Sequence, residues 1–200
     1  GGGIPTLLLK GTVTVGGTSA SRISTSPPPP GFSDEASLTI GNGSAGSATL
    51  FDVADATLSA AADLTITARL TSIAPGRASG LTKTGSGTLT IVAPLMANQM
   101  QLRAGTTILD TGANVFVSGF NGVGLANGDT ATLTIKGAAR MTEAGDFNVS
   151  DQASSNGTLN ISDISQLTVG SLFVGKSGAS TGIVNQTGGS VSNAGGNNDW

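Results

Sequence analysis

Residues 170–177 read GSLFVGKS, which fits the phosphate-cradling pattern G-x-x-x-x-G-K-[ST]. That pattern does chemistry only where a strand runs into the loop and a helix begins at the lysine, because loop amides and the helix N-terminus hold the phosphates. The stretch after Ser177, GASTGIVNQTGG, is rich in glycine and β-branched residues and makes a poor helix. Twenty-five residues before GSLFV lies GDFNV at 145–149, so Gly145 is expected under Gly170, Phe147 under Leu172 and Val149 under Val174. The glycine-rich stretch therefore reads as a repeat strand, with Lys176 in a solvated turn one coil above Asp151. No nucleotide or other cofactor is expected.

Histidine, cysteine and tyrosine are absent. Their absence removes the commonest general base, the commonest metal ligand, disulfides, thiolate chemistry and any Ser-His-Asp arrangement. The carboxylates are Asp34, Glu35, Asp52, Asp55, Asp63, Asp110, Asp129, Glu143, Asp146, Asp151, Asp163 and Asp199. They are expected as turn residues, although Asp52 with Asp55, or Glu143 with Asp146, could face one another across a groove. Asp129 and Asp151 are the candidate oxygen ligands, each alone in its turn, and the glycine-aspartate nonapeptide calcium pattern does not occur. Of the basic residues, Arg69, Arg77, Lys83 and Arg103 are the densest group. Their convergence on Asp63 or Asp110 would be the sign of a polysaccharide-degrading site. No catalytic, cofactor or metal residue is assigned, and the chain is read as a non-enzyme.

Only 10% of the 200 residues are charged, aromatic residues make up 4%, and the net charge is −3. Nucleic acid, which needs a basic footprint or stacking rings, is not an expected partner. The longest apolar runs, such as Leu7–Leu9 and 91–97, fall far below the ~20 residues of a membrane span, so no membrane insertion is expected. Sequons occur at Asn42, Asn148, Asn156, Asn160 and Asn185.

The elements that must position these residues are short and periodic. Triplets of the form apolar-polar-apolar begin at Val13, Leu38, Leu64, Leu89, Val115, Leu133, Leu159 and Val184, and six of the seven intervals are 25 or 26 residues. The exception, 18 residues after Val115, suggests a coil that lacks one strand. Alternation of step two makes each unit a strand with one face inward, and about three strands fit in each period. The chain is therefore expected to be all-β, a single domain over 1–200: a right-handed parallel β-helix of about eight coils of ~25 residues. Thr39, Thr65, Thr90, Thr134, Asn160 and Asn185 should point outward, and the flanking Leu and Ile inward. Gln186 takes an inward position where the preceding coils carry Ile161 and Ile135. The proline run at 26–31, SPPPPG, reads as a loop insert leaving the rod.

Residues 80–91, GLTKTGSGTLTI, resemble the autotransporter-associated β-strand repeat, whose form runs L-x-K-x-G-x-G-T-L-x-L. GTLNIS at 157–162 and GIVNQTGGSV at 182–191 are similar to related repeats of large secreted bacterial surface proteins. The resemblance implies a β-helical passenger-type segment outside the cell, and it brings no catalytic residues with it. The opening GGGIPT, without Met, is expected to mark a processed product or a fragment.

Two classes follow. One is an extracellular structural or adhesive element, a surface fibre, stalk or passenger segment, contacting its partners through Thr/Asn faces. Neither terminus shows an amphipathic cap, so its ends should be covered by another copy stacked end to end in a filament, or by continuing coils of a longer chain. A surface polysaccharide is a further expected partner. The other class is a carbohydrate-binding or polysaccharide-degrading β-helix.

Overall fold

The structure, a computed structural model, describes residues 6–25, 36–41, 47–72 and 79–194. The proline run at 26–31, Asp34, Glu35, Asn42, Arg77 and Asp199 lie outside these residues.

The chain is an all-β parallel β-helix, and twenty strands lie among the described residues. The first coil consists of β1 (Thr6–Leu9), β2 (Thr12–Val15) and β3 (Ser21–Ile23). The second is β4 (Ser37–Ile40), β5 (Ala48–Val53) and β6 (Leu64–Ile66), and the third β7 (Arg69–Ser72), β8 (Gly80–Thr84) and β9 (Thr88–Ile91). The fourth is β10 (Leu95–Ala97), β11 (Gln99–Leu102) and β12 (Ala104–Leu109), and the fifth β13 (Asn114–Val117), β14 (Asn121–Val123) and β15 (Thr130–Ile135). In the sixth coil the first two strands fuse into β16 (Arg140–Val149), followed by β17 (Asn156–Ile161). The seventh repeats this with β18 (Gln166–Val174) and β19 (Thr181–Gln186), and β20 (Ser190–Asn193) opens an eighth.

Each strand pairs in parallel with its equivalent one coil along, which generates three faces. β1, β4, β7, β10 and β13 build the first face and β2, β5, β8, β11 and β14 the second. β16 and β18 bend from one to the other, joining them into a single 13-stranded sheet. Between Glu143 and Asp146 the register shifts by a bulge, which lets β16 turn the corner without ending. The third face is a separate 7-stranded sheet, β3-β6-β9-β12-β15-β17-β19.

The core follows from alternation. Leu64 and Ile66, Leu89 and Ile91, Leu133 and Ile135, Leu159 and Ile161, and Leu38 and Ile40 are all buried, and the residue between each pair faces outward. Each such Leu or Ile removed from water contributes about 1.5–3 kcal/mol. The expected register also holds over 146–149 on 171–174, with Phe147 opposite Leu172 and Val149 opposite Val174, while Gly145 falls in the bulge and is not paired with Gly170.

Two expectations are corrected. The recurring triplets do not form one ladder: Val13 lies on the second face and Leu38 and Val115 on the first, while Leu64, Leu89, Leu133, Leu159 and Val184 share the third. The short interval also belongs elsewhere. On the third face the partner of both Leu89 and Leu133 is Thr107, so the 18-residue step runs from Leu89 to Thr107. That coil lacks no strand. Its three strands are joined by the single residues Asn98 and Arg103, so the length is lost from the corners.

Candidate functional site

The GSLFVGKS stretch is strand through Val174, and no helix follows it among the described residues. Its turn amides are already used: Gly175 N–H donates to Val149 O at 2.9 Å and Lys176 N–H to Ser150 O at 3.0 Å. The Lys176 ammonium lies 3.7 Å from Asp151 Oδ1 and 4.8 Å from the centre of the Phe173 ring. A corner ion pair between consecutive coils takes the place of a phosphate cradle.

The same device recurs twice. Arg103 Nε lies 3.2 Å from Asp129 Oδ2, and Lys136 Nζ lies 3.2 Å from Asp110 Oδ2. Each pair joins a residue to its counterpart one coil away. Burial alone would raise the Asp110 carboxyl, but the Thr111 amide and the Lys136 ammonium hold it below its ordinary value. Asp129 also accepts from Ala126 N–H at 2.7 Å and Asp151 from Gln152 Nε2 at 3.2 Å, so both candidate ligands act as corner acceptors. Among the described residues no group of three or more acidic side chains is placed to hold a metal ion.

Of the basic group, the described residues Arg69, Lys83 and Arg103 do not converge. Arg69 is exposed on the first face, Arg103 is committed to Asp129, and Lys83 points into the core. Asp110 is engaged by Lys136 instead. Neither carboxylate pair shares a groove: Glu143 is buried while Asp146 is exposed, and Asp52 accepts from Thr84 Oγ1 at 3.1 Å while Asp55 is exposed. Of the sequons, Asn156 and Asn185 are exposed and Asn160 is half-buried. Asn148 is fully buried, which closes it to modification.

The GLTKTGSGTLTI segment forms a corner between the second and third faces. Leu81, Leu89 and Ile91 are buried core residues. Lys83 occupies a core rung between Phe51 and Leu102 and has no exposed surface. Its ammonium donates to the carbonyls of Gly85 at 2.6 Å, Ala104 at 2.8 Å and Thr84 at 3.2 Å. Burial lowers its pKa to about 8, against the opposing pull of the Asp52 and Asp63 charges. Gly85 has φ +77° and abuts the Val53 carbonyl, while a Cβ on Gly87 would lie 2.7 Å from Asp63 Oδ2. Both positions need glycine. Buried Asp63 accepts from the N–H groups of Thr57 and Thr88, each at 2.7 Å. Burial pushes its carboxyl up, and these amide bonds outweigh that and hold it below its ordinary value. The repeat-like segment is thus a coil-closing device, with Lys83 replacing backbone donors that a sharp corner cannot supply.

A second polar cluster fills the next coils. Glu143 sits on the rung between Val117 and Val169, and Asn121 lies among Met100 and Phe147. Asn121 Nδ2 donates to Glu143 Oε2 and, at 2.6 Å, to Gly119 O, and its Oδ1 accepts from Met100 N–H. Gly145 N–H donates to Glu143 Oε1 at 2.8 Å. Burial raises Glu143 to about 7, aided by the Asp146 charge and opposed by the Gly145 and Asn121 donors. Between its ordinary value of 4.5 and 7, the folded chain holds a proton that the unfolded chain has released. Stability from this group is therefore complete below pH 4.5 and falls as pH rises through 7. Urea unfolding across pH 4.5–7.5 is expected to show this decline, with a slope below the one-proton ceiling of ~1.4 kcal/mol per pH unit. Glu143→Gln is expected to remove the decline.

The third face offers a regular surface. Outward ranks on its last four strands carry Thr, Asn, Ala and Ile and no charge. Side-chain amides tie neighbouring coils together: Asn160 Nδ2 donates to Thr134 Oγ1 at 3.3 Å and Asn185 Nδ2 to Asn160 Oδ1 at 2.9 Å. The expected outward ladder is present, although Thr39 belongs to the first face.

Comparison with known proteins finds no matching family model, no matching curated protein and no matching solved structure. Among the described residues no helix is long and apolar enough to cross a membrane.

Proposed function

We propose that the chain is a non-enzymatic structural or adhesive β-solenoid, a segment of an extracellular fibre, stalk or passenger whose coils continue by stacking. The observation that carries this reading is the state of the terminal coils. Leu7 is 61% exposed at one end, and at the other Val184, on a core rung above Leu159, is 36% exposed. Val174 and Gln186 also lie open on core rungs above Val149 and Ile161. Among the described residues β1, β2 and β3 at one end and β19 and β20 at the other have a strand neighbour on one side only, and such edges around an open apolar interior are a template for another coil. The corner at 80–91, which resembles the autotransporter-associated β-strand repeat, supports a bacterial surface setting. The scattered charges, three pairs of which neutralise each other across corners, fit a part that does no chemistry of its own.

Sedimentation of the purified chain with rising concentration tests the reading. Species that grow in steps of one chain are expected, because a heterologous end contact propagates unless it closes. Val184→Lys, which places a charge at the open end, is expected to stop the growth. Growth that survives it would remove the end contact from the account.

A further inference from the structure

On the last four strands of the third face the outward residues are alike in polarity on either side of the middle rank. In the fifth coil they are Thr130, Thr132 and Thr134, and in the sixth Asn156, Thr158 and Asn160. The fourth coil carries apolar Ala104 and Ile108 on either side of Thr106. In the seventh, Ile183 holds the middle, between polar Thr181 and Asn185. Strand pairing keeps these ranks in register from coil to coil.

We propose that this face pairs with the same face of a second copy, about a two-fold axis parallel to the rod. An isologous contact requires that residue i meet j while j meets i. With the axis over the middle rank, Thr134 meets Thr130, Asn160 meets Asn156, Ile108 meets Ala104 and Ile183 meets itself. Across these four coils polar faces polar and apolar faces apolar. The spacing also matches by construction, because both copies repeat at the ~4.8 Å strand separation along the rod. Stacked Thr and Asn ladders of this kind interdigitate in dry sheet-to-sheet contacts.

Area and charge agree with this occupant. Leaving out β3, whose outward residue is the charged Arg22, four strands of six residues, one of four and one of three, at ~3.3 Å per residue and ~4.8 Å per strand, give a face of about 490 Å². Two such faces bury about 980 Å², at the ~1,000 Å² threshold of a specific interface, so the pair is weak and concentration-dependent. No charged residue stands on the outward ranks of the face's six strands from β6 to β19, and Arg22 of β3 stays at the margin, where it donates to Thr67 Oγ1 at 3.3 Å, so nothing has to be desolvated unpaired. The Asn160 and Asn185 amide bonds hold one outer rank, Thr134–Asn160–Asn185, in place beforehand, which lowers the ordering cost of association. This pairing is lateral and closes at two chains. It stands or falls separately from the end contact.

The test uses the middle rank, where each residue faces its own copy. One chain carries Thr132→Lys with Thr158→Lys, another Thr132→Glu with Thr158→Glu, and thermal unfolding checks that both remain folded. In sedimentation with Val184→Lys present throughout to silence the ends, the parent chain is expected to form a two-chain species. Each charged chain should dimerise about tenfold or more weakly, because like charges meet across the axis. An equimolar mixture of the two should recover the two-chain species. A parent that stays a single chain at about 100 µM, charged chains that pair as well as the parent, or a mixture that fails to recover would each overturn the proposal. So would a single-chain parent that is retained on an insoluble neutral polysaccharide, since the face would then belong to that partner.

Discussion

Replacing Lys83 by alanine is expected to remove about 3–5 kcal/mol of folding stability, a large part of the 5–15 kcal/mol of an ordinary domain. Two terms add. A fully buried four-carbon side chain leaves a cavity on the rung between Phe51 and Leu102. The carbonyls of Gly85 and Ala104 also lose a donor at 2.6 and 2.8 Å in a place water does not reach. Lys176→Ala is the control. Its exposed pairing with Asp151 contributes about 0–1 kcal/mol, so two lysines of one chain should differ several-fold in effect when urea unfolding is compared. Lys83 has a second signature. Its folded pKa of about 8 lies below the ordinary 10.5, so between these values the unfolded chain holds a proton that the folded chain has released. Stability therefore rises with pH from 8 to 10.5, and Lys83→Met should abolish that rise.

The second large effect concerns the coil as a unit. Deleting residues 130–155 removes one coil and places Asn156 where Thr130 stood, since the two are register partners. The remaining strands then meet in their existing phase, with Val117 opposite Val169 and Val123 opposite Val174, because both pairs share partners in the deleted coil. The shortened chain is expected to fold and unfold cooperatively, weakened by one repeat and one interface. Deleting residues 130–142, half as many, breaks the phase and should leave the chain unfolded by circular dichroism. A half-coil deletion that tolerates folding as well as the full one would show that the coil is not the structural unit.

The coil was legible in the sequence because alternation is a strong constraint. A Leu-Thr-Ile triplet can bury its ends only as a strand, so Leu64, Leu89, Leu133 and Leu159 could be placed inward before their partners were known. Which face each triplet serves was not legible. Val13, Leu38 and Val115 satisfy the same pattern from other faces, since any half-buried strand does. The 18-residue step misled for a related reason: a corner can shrink to one residue, as at Asn98 and Arg103, and periodicity cannot tell a lost turn from a lost strand. Lys83 was hidden by its type, because lysine is almost never fully buried without partners. The only signal was its fixed place in the repeat-like motif. Glu143 had a signal too: it follows Met141 at step two on one strand, so the alternation that buries one buries the other. Asn121 gave none, since Asn-Gly before a strand reads as a turn.

Hydrogen exchange at the terminal strands tests the stacked-rod reading most directly. Among the described residues no strand lies on the open side of β19, so in dilute solution every second amide there should exchange at close to free-peptide rates while those bonded to β17 are protected. With rising concentration the open set should slow together with the amides of β1 to β3, as one chain's last coil meets the next chain's first. Protection of both terminal coils at the lowest concentration, in a chain that sediments as a single species, would contradict the account. The ends would then be closed within the monomer, and the rod would have no template to offer.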